Sequence, residues 1–242
     1  MNKGIGFNRN IKLDWLDATA AFGAEGMDQT AVRERLTPII RQDIGSPTNI
    51  RKTIDILLNI WLKSEADHPA LQQAALRYFR TTSTPADRLW LHYGLTLLAY
   101  PFFRQAATAV GQLARYEETI TTTAVRDKLY AALGQLGSIE DAASRIIYSL
   151  RDWGVLQDSA QRNSYLPQYR SFTTADPEIE KWLLAVALQT HLAEQLPFAD
   201  LLHLPALFPF RFTVTVSDLR QSADFDVQRL GVSMDMVRRS RS

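Results

Sequence analysis

From Asn10 to about Tyr100 apolar residues recur at three- and four-residue steps, as in Leu13, Leu16, Ala20 and then Ile50, Ile54, Leu57, Leu58, Trp61, Leu62. That period puts them on one face of an amphipathic helix. Breakers fall at Gly23 and Gly26, at Gly45-Ser46-Pro47, at His68-Pro69 and from Thr81 to Pro85, which predicts four or five helices joined by short turns. Ser46 is placed to offer its side-chain oxygen to the first free amides of the helix after Pro47. The longest apolar run, Leu89 to Phe103, contains His92 and Pro101 and lies between Arg88 and Arg104. It is shorter than the roughly 20 residues of a membrane span, so it reads as a buried core helix broken near Pro101.

From Pro101 to Pro167 the pattern changes several times within a short distance. Pro101 suits the first position of a helix that buries Phe103, Ala107, Val110 and Ala114. Glu118 to Thr121 reads as extended, and Thr121 to Thr123 offer hydroxyl caps to a helix burying Val125, Leu129, Ala132 and Leu133. That helix ends at Gly134, and Gly134-Gln135-Leu136-Gly137 forms a turn. Ser138 followed by Asp141 approximates a capping box for the next helix, whose inward stripe is Ile139, Ala143, Ile146, Ile147 and Leu150. After Trp153-Gly154, a strand begins at Val155-Leu156, the polar stretch Asp158 to Asn163 turns, and Tyr165-Leu166 forms the returning strand. This order predicts a winged helix-turn-helix.

Beyond Pro167, Asp176-Pro177-Glu178 opens a helix with a buried face of Trp182, Leu183, Val186, Ala187, Thr190 and Leu192. Phe210 to Val216 and Phe225 to Leu230 then alternate apolar and polar residues, the period of a strand. The expected fold is therefore mainly α, with a helical bundle over 1–100, a winged helix-turn-helix over 101–170, and a C-terminal helix with a small β-hairpin over 171–242.

Composition narrows the chemistry. Of the 242 residues 46% are hydrophobic, enough for a substantial core without covalent staples. Cysteine is absent, which excludes disulfides, thiolate metal sites and cysteine nucleophiles and suits the cytoplasm. Met1 to Trp15 has no apolar core of a secretory leader, so none is expected. No membrane association is expected.

The histidines, His68, His92, His191 and His203, match no metal or triad spacing, and His191 with Glu194 is not a zinc motif. Asp176, Glu178, Glu180 and Lys181 resemble a carboxylate cluster but sit where a helix start attracts acids. Gly4-Ile5-Gly6 lacks both the preceding strand and the third glycine of a dinucleotide turn. No catalytic residue, metal or cofactor is assigned, and a non-enzymatic role is expected.

The net charge of +1 provides no overall field toward nucleic acid, so binding there needs a local patch. The second helix of a helix-turn-helix pair enters the major groove, and its outer face here would present Ser144, Arg145, Tyr148, Ser149 and Arg151. Arg162 and Asn163 at the wing tip would reach backbone or an adjacent groove, and Arg238, Arg239 and Arg241 form a basic tail able to grip phosphates. Glu140, Asp141 and Asp152 flank these arginines and leave the helix nearly balanced in charge. Two partners fit this surface: double-stranded DNA, or another protein docked on the winged helix. The aromatic group Trp90, Tyr93, Tyr100, Phe102 and Phe103 reads as a core joint between bundle and winged helix.

The Asn8-Arg9-Asn10-Ile11-Lys12 string, the Ser46-Pro47-Thr48 turn before a helix ending in Trp61-Leu62, the Leu98-Ala99-Tyr100-Pro101-Phe102-Phe103 segment and the Arg151-Asp152-Trp153-Gly154-Val155-Leu156 exit resemble small bacterial phage-defence accessory proteins. Over roughly residues 1 to 170 the layout is similar to the small helical A component of BREX bacteriophage-exclusion systems. The resemblance implies a non-enzymatic, DNA-binding or complex-forming subunit of a defence or regulatory assembly. The tail after Phe208 has no counterpart in it.

Overall fold

The computed structural model describes residues 6–63, 68–82, 84–134, 137–231 and 234–240. Breakers and helices alternate in the N-terminal half as the period requires. The helices are α1 (Leu13–Ala24), α2 (Gln29–Arg41), α3 (Pro47–Leu58), α4 (Pro69–Thr81) and α5 (Pro85–Ala99), with α3 running on into a π-helical turn at Asn59–Lys63. Side-chain caps close two of the starts: Asp28 accepts from the Ala31 amide at 2.8 Å and Thr84 from the Asp87 amide at 3.3 Å. Ser46 makes no such bond, so Pro47 alone, its ring already holding a helical φ, marks the start of α3.

The Leu89–Phe103 run divides as its proline requires, into α5 and α6 (Pro101–Leu113). Beyond α6 lie β1 (Ile120–Thr121), α7 (Thr122–Leu133), α8 (Ile139–Asp152), β2 (Leu156–Asp158) and β3 (Ser164–Pro167). Thr121 caps α7 by accepting from the Ala124 amide at 3.1 Å. The expected capping box at Ser138 does not form, because Ser138 itself sits in the helical region at φ −88°, ψ −5° and makes no cap bond. The Gln135-Leu136 part of the predicted turn lies outside the described residues. At its far end α8 closes with Gly154 at φ +73° and with the Val155 amide reaching back to the Leu150 carbonyl at 2.9 Å. A left-handed residue with such a backward bond ends a helix cleanly, and glycine adopts that conformation without a side-chain penalty.

The C-terminal part contains α9 (Pro177–Thr190), β4 (Gln195–Pro197), α10 (Phe198–Leu202), a 3-10 turn at Pro205–Leu207, α11 (Val216–Gln221), β5 (Phe225–Leu230) and β6 (Met234–Arg239). The chain is thus mainly helical, with two small antiparallel three-stranded sheets among the described residues, ordered β1-β3-β2 and β4-β6-β5. The terminal hairpin exists, but as β5–β6; of the alternating stretch 210–216, only Phe210 makes a bridge, to Phe172. The amides of Thr213 and Val214 are taken by the Glu180 carboxylate at 2.7 and 2.9 Å, which leaves them no ladder partner, and α11 begins at Val216. Leu192, expected in the buried face of α9, is 102% exposed because the helix ends at Thr190 and His191 turns to extended backbone.

Buried apolar side chains from Phe7 to Val237 make one contiguous core. Its centre is aromatic: Tyr93 meets Phe103, Trp153 and Phe210 edge-on at 5.5, 6.4 and 5.0 Å, and Trp90 packs on Phe210 at 4.4 Å. These aromatic rings are core and join α5, α6 and the end of α8, and the C-terminal segment completes the cluster with Phe210. Among the described residues no helix is long and apolar enough to cross a membrane.

One polar group sits inside this core. His92 is fully buried; its Nδ1 accepts from the Trp61 indole N–H at 3.2 Å, so its Nε2 carries the proton and donates to Asp17 at 3.0 Å. Burial pushes the His92 ring below its ordinary value. Burial also acts to raise the Asp17 carboxyl, but the bond from His92 and the charge of Arg88 hold it lower than usual. In the unfolded chain His92 takes a proton as pH falls through about 6.5, whereas in the fold it resists, so stability drops as pH falls below that value. Denaturant midpoints between pH 7 and pH 5 are expected to fall, by up to roughly 1.4 kcal/mol per pH unit from this group, and the H92N variant flattens that limb. A wild-type limb as flat as the variant's would show that His92 is not the responsible group.

Candidate nucleic-acid interface

The segment Phe7 to Leu13 holds α8 against the rest of the chain. Phe7 packs on Tyr100 and Phe103, each at 5.4 Å. The Ile11 amide donates to Ser149 Oγ at 2.9 Å, the Trp153 indole donates to the Ile11 carbonyl at 2.8 Å, and the Leu13 amide donates to Asp152 Oδ2 at 2.7 Å. The Asn8–Lys12 and Arg151–Leu156 strings, distant in sequence, are thereby in direct contact.

This contact removes Ser149 from the expected binding set. Ser149 is 0% exposed and shares its hydroxyl between Ile11, Asn10 and the Arg145 carbonyl, so it faces the core side of α8 and not solvent. On an α-helix, positions one residue apart point about 100° away from each other, which is why Tyr148 and Ser149 part company.

The remaining residues lie together on the outer face of α8 and the loop beyond it. Arg145 is exposed and has no ion pair or hydrogen bond from its side chain among the described residues. Ser144 is half-buried and donates to the Glu140 carbonyl at 3.0 Å. Arg151 is exposed, lies over the Tyr148 ring at 5.8 Å and pairs with Asp158 of β2 at 3.4 Å. Arg162 and Asn163 are exposed at the tip between β2 and β3, where Asn163 takes a left-handed φ of +58° and its carbonyl accepts from the Thr122 amide at 3.4 Å. Asparagine tolerates that conformation better than most residues. Strand β1, at the end of the stretch Glu118 to Thr121 expected to be extended, pairs with β3 through Ile120↔Tyr165 and Thr121↔Ser164, so a third strand braces the tip.

The acidic neighbours are partly occupied. Glu140 pairs with Arg126 of α7 at 3.0 Å, and Asp152 is engaged by the Leu13 amide, which leaves Asp141 as the acid on this face without a partner among the described residues. The face therefore shows solvent two unpaired arginines, Arg145 and Arg162, beside the unpaired Asp141 and the still-charged Asp152, so its charge stays close to balanced.

Arg238 and Arg239 do not belong to a loose tail. Both lie in β6, with Arg238 paired to Asp226 of β5 at 2.5 Å and Arg239 bonded to Gln189 of α9. They are committed to holding the second sheet, and Arg241 lies outside the described residues.

Among the described residues no group of three or more His, Asp or Glu stands close enough to hold a metal ion. Glu180, from the acidic run at the start of α9, is buried and serves the 213–214 backbone. Sequence reasoning overlooked Arg104, which lines a cleft formed between α6 and the 204–207 turn. Its position at the edge of an apolar run was visible, but the opposite wall comes from residues some ninety positions away. In comparisons with protein-family models, curated proteins and solved structures, nothing matches this chain.

Proposed function

We propose that residues 101–167 form a winged helix-turn-helix and that the chain binds double-stranded DNA through it, as a non-enzymatic subunit of a larger defence or regulatory assembly. The observation that carries this reading is the arrangement of free cations: Arg145 outward on α8 and Arg162 at the β2–β3 tip, on elements ordered α6, β1, α7, α8, β2, β3 with β3 central in its sheet. In such a unit α8 lies in the major groove, Arg145 addresses a base edge or phosphate, and Arg162 with Asn163 meets the neighbouring backbone. Tyr148 adds a hydroxyl donor to phosphate, whereas Ser144 must first release the Glu140 carbonyl to do so. Arg151 contributes less than Arg145, since it must leave Asp158 to do so.

The test is a salt titration of duplex binding. Affinity is expected to fall steeply as salt rises, and the R145A/R151A/R162A variant should bind more weakly, with the log–log salt slope shallower by about 1 for each phosphate contact removed. All three side chains are exposed, so the variant should unfold at close to the wild-type temperature. Binding unchanged by the triple substitution would mean that another face meets DNA. No binding even at low salt would favour the protein-docking reading. One observation speaks for that alternative: Leu230 and Met234, opposite each other in the β5–β6 hairpin, are 54% and 49% exposed.

A further inference from the structure

A cleft of about 310 Å³ opens between the end of α5, the first two turns of α6, the end of α9 and the Leu204–Leu207 turn. That size falls at the lower end of the range of small-molecule sites. Its walls are mainly aliphatic, with Leu97, Ala187, Leu204 and Leu207 among them, and the fully exposed Leu192 stands at its edge. A leucine left in water beside an apolar cleft extends the apolar surface that a ligand can cover.

Arg104 is the charged group in this lining. It is half-buried, and the one hydrogen bond its side chain makes among the described residues runs from Nη1 to the Leu97 carbonyl at 3.3 Å. No carboxylate lines the cleft, and Arg104 has no ion pair among the described residues. A guanidinium presents five N–H donors, so most of its capacity is unspent in a place where burial already disfavours its charge. An arginine in that condition gains from an anion able to accept a forked pair of bonds, and a carboxylate matches that fork. Thr108 and Thr190, also in the lining, donate their protons to the Arg104 and Val186 carbonyls of their own helices, so neither offers a donor to a bound anion and Arg104 is left to hold it.

We propose that this cleft binds a small aliphatic carboxylate, with its hydrocarbon tail between Leu97, Leu204 and Leu207 and its carboxylate on Arg104. The tail supplies most of the binding through apolar burial, and Arg104 supplies selection for the anion over a neutral head of the same shape. The inference is independent of DNA binding and is tested without DNA.

Isothermal titration of the full chain with octanoate, octanol and acetate separates the two contributions. Octanoate is expected to bind saturably at one site, octanol at least tenfold more weakly, and acetate without detectable saturation. R104Q should weaken octanoate at least tenfold while leaving octanol within about twofold, which follows from removing one charge-assisted pair. Because Arg104 also bonds the Leu97 carbonyl, L192E provides a second variant at a fully exposed position: its new carboxylate should weaken octanoate more than octanol. Equal affinity for octanoate and octanol, an octanoate affinity unchanged by R104Q and L192E, or no saturable octanoate binding would each overturn the proposal.

Discussion

Replacing Glu180 with alanine is expected to lower stability by roughly 3 kcal/mol or more, because it strips a buried acceptor from several donors at once. Glu180 is 0% exposed and receives the Thr213 amide at 2.7 Å, the Thr213 hydroxyl at 2.9 Å and the Val214 amide at 2.9 Å. Val214 is buried, so its amide left without a partner loses about 1–3 kcal/mol, the donors of the exposed Thr213 turn to water and lose less, and the cavity adds to this. For a chain of this size the loss corresponds to a fall of roughly 6–12 °C in the unfolding midpoint. E180Q keeps the shape but retains one carbonyl oxygen for three donors, so it should fall between wild type and E180A. Calorimetry of the three proteins, with amide exchange at Thr213 and Val214, gives the ranking; an unshifted E180A midpoint would remove Glu180 from the account of how the C-terminal segment is held.

The second large effect is expected at Gly111, where α6 passes against the 3-10 turn. A Cβ there would stand 1.9 Å from the Pro205 carbonyl oxygen, 2.7 Å from its carbon and 2.9 Å from the Phe208 Cβ. Backbone blocks the site, so no rotamer change can relieve the contact and the turn itself must move. G111A should therefore cost about 1–3 kcal/mol or more despite the better helix propensity of alanine. Pro205 and Leu207 also line the cleft, so the same substitution should reduce octanoate affinity. Gly45 is the control: a Cβ there meets nothing within 4 Å, and G45A should stay within about 0.5 kcal/mol of wild type. If G111A unfolds like G45A, the close approach of α6 and the turn is not what the distances indicate.

Elements with their own local signals were legible in the chain. Pro47, Pro69, Pro85, Pro101 and Pro177 each stand at the first position of a helix, where a missing amide proton costs nothing and a preset φ helps. The Asp176 cap on the Glu178 amide and the Thr121 cap on the Ala124 amide likewise depend on neighbours two or three residues away. Most of the candidate surface was legible for the same reason: Arg145, Arg162 and Asn163 are outward because the apolar stripe of α8 and the polar turn after β2 put them there.

Local pattern failed where a distant group decided the outcome. Alternation over 210–216 reads as strand, yet Glu180 binds two of its amides, and backbone donors already satisfied form no ladder. Ser149 has the composition of a surface position, but the Phe7–Leu13 segment covers it. Arg238 and Arg239 look like a solvated end and instead make cross-strand and strand-to-helix contacts.

The sequence by itself therefore determined a mainly helical chain, the places where its helices start, and the outward cations of α8 and the following tip, since periodicity, proline and caps act over a few residues. Tertiary structure alone decided which polar side chains stay free to meet a partner. Asp152 is spent on Leu13, Ser149 on Ile11 and Arg238 on Asp226, while Arg145, Arg162 and Arg104 keep capacity to spare. The reason is that a hydrogen-bonding group is satisfied by whatever the fold brings within about 3 Å, and that neighbour is set by packing across the whole chain rather than by adjacent residues.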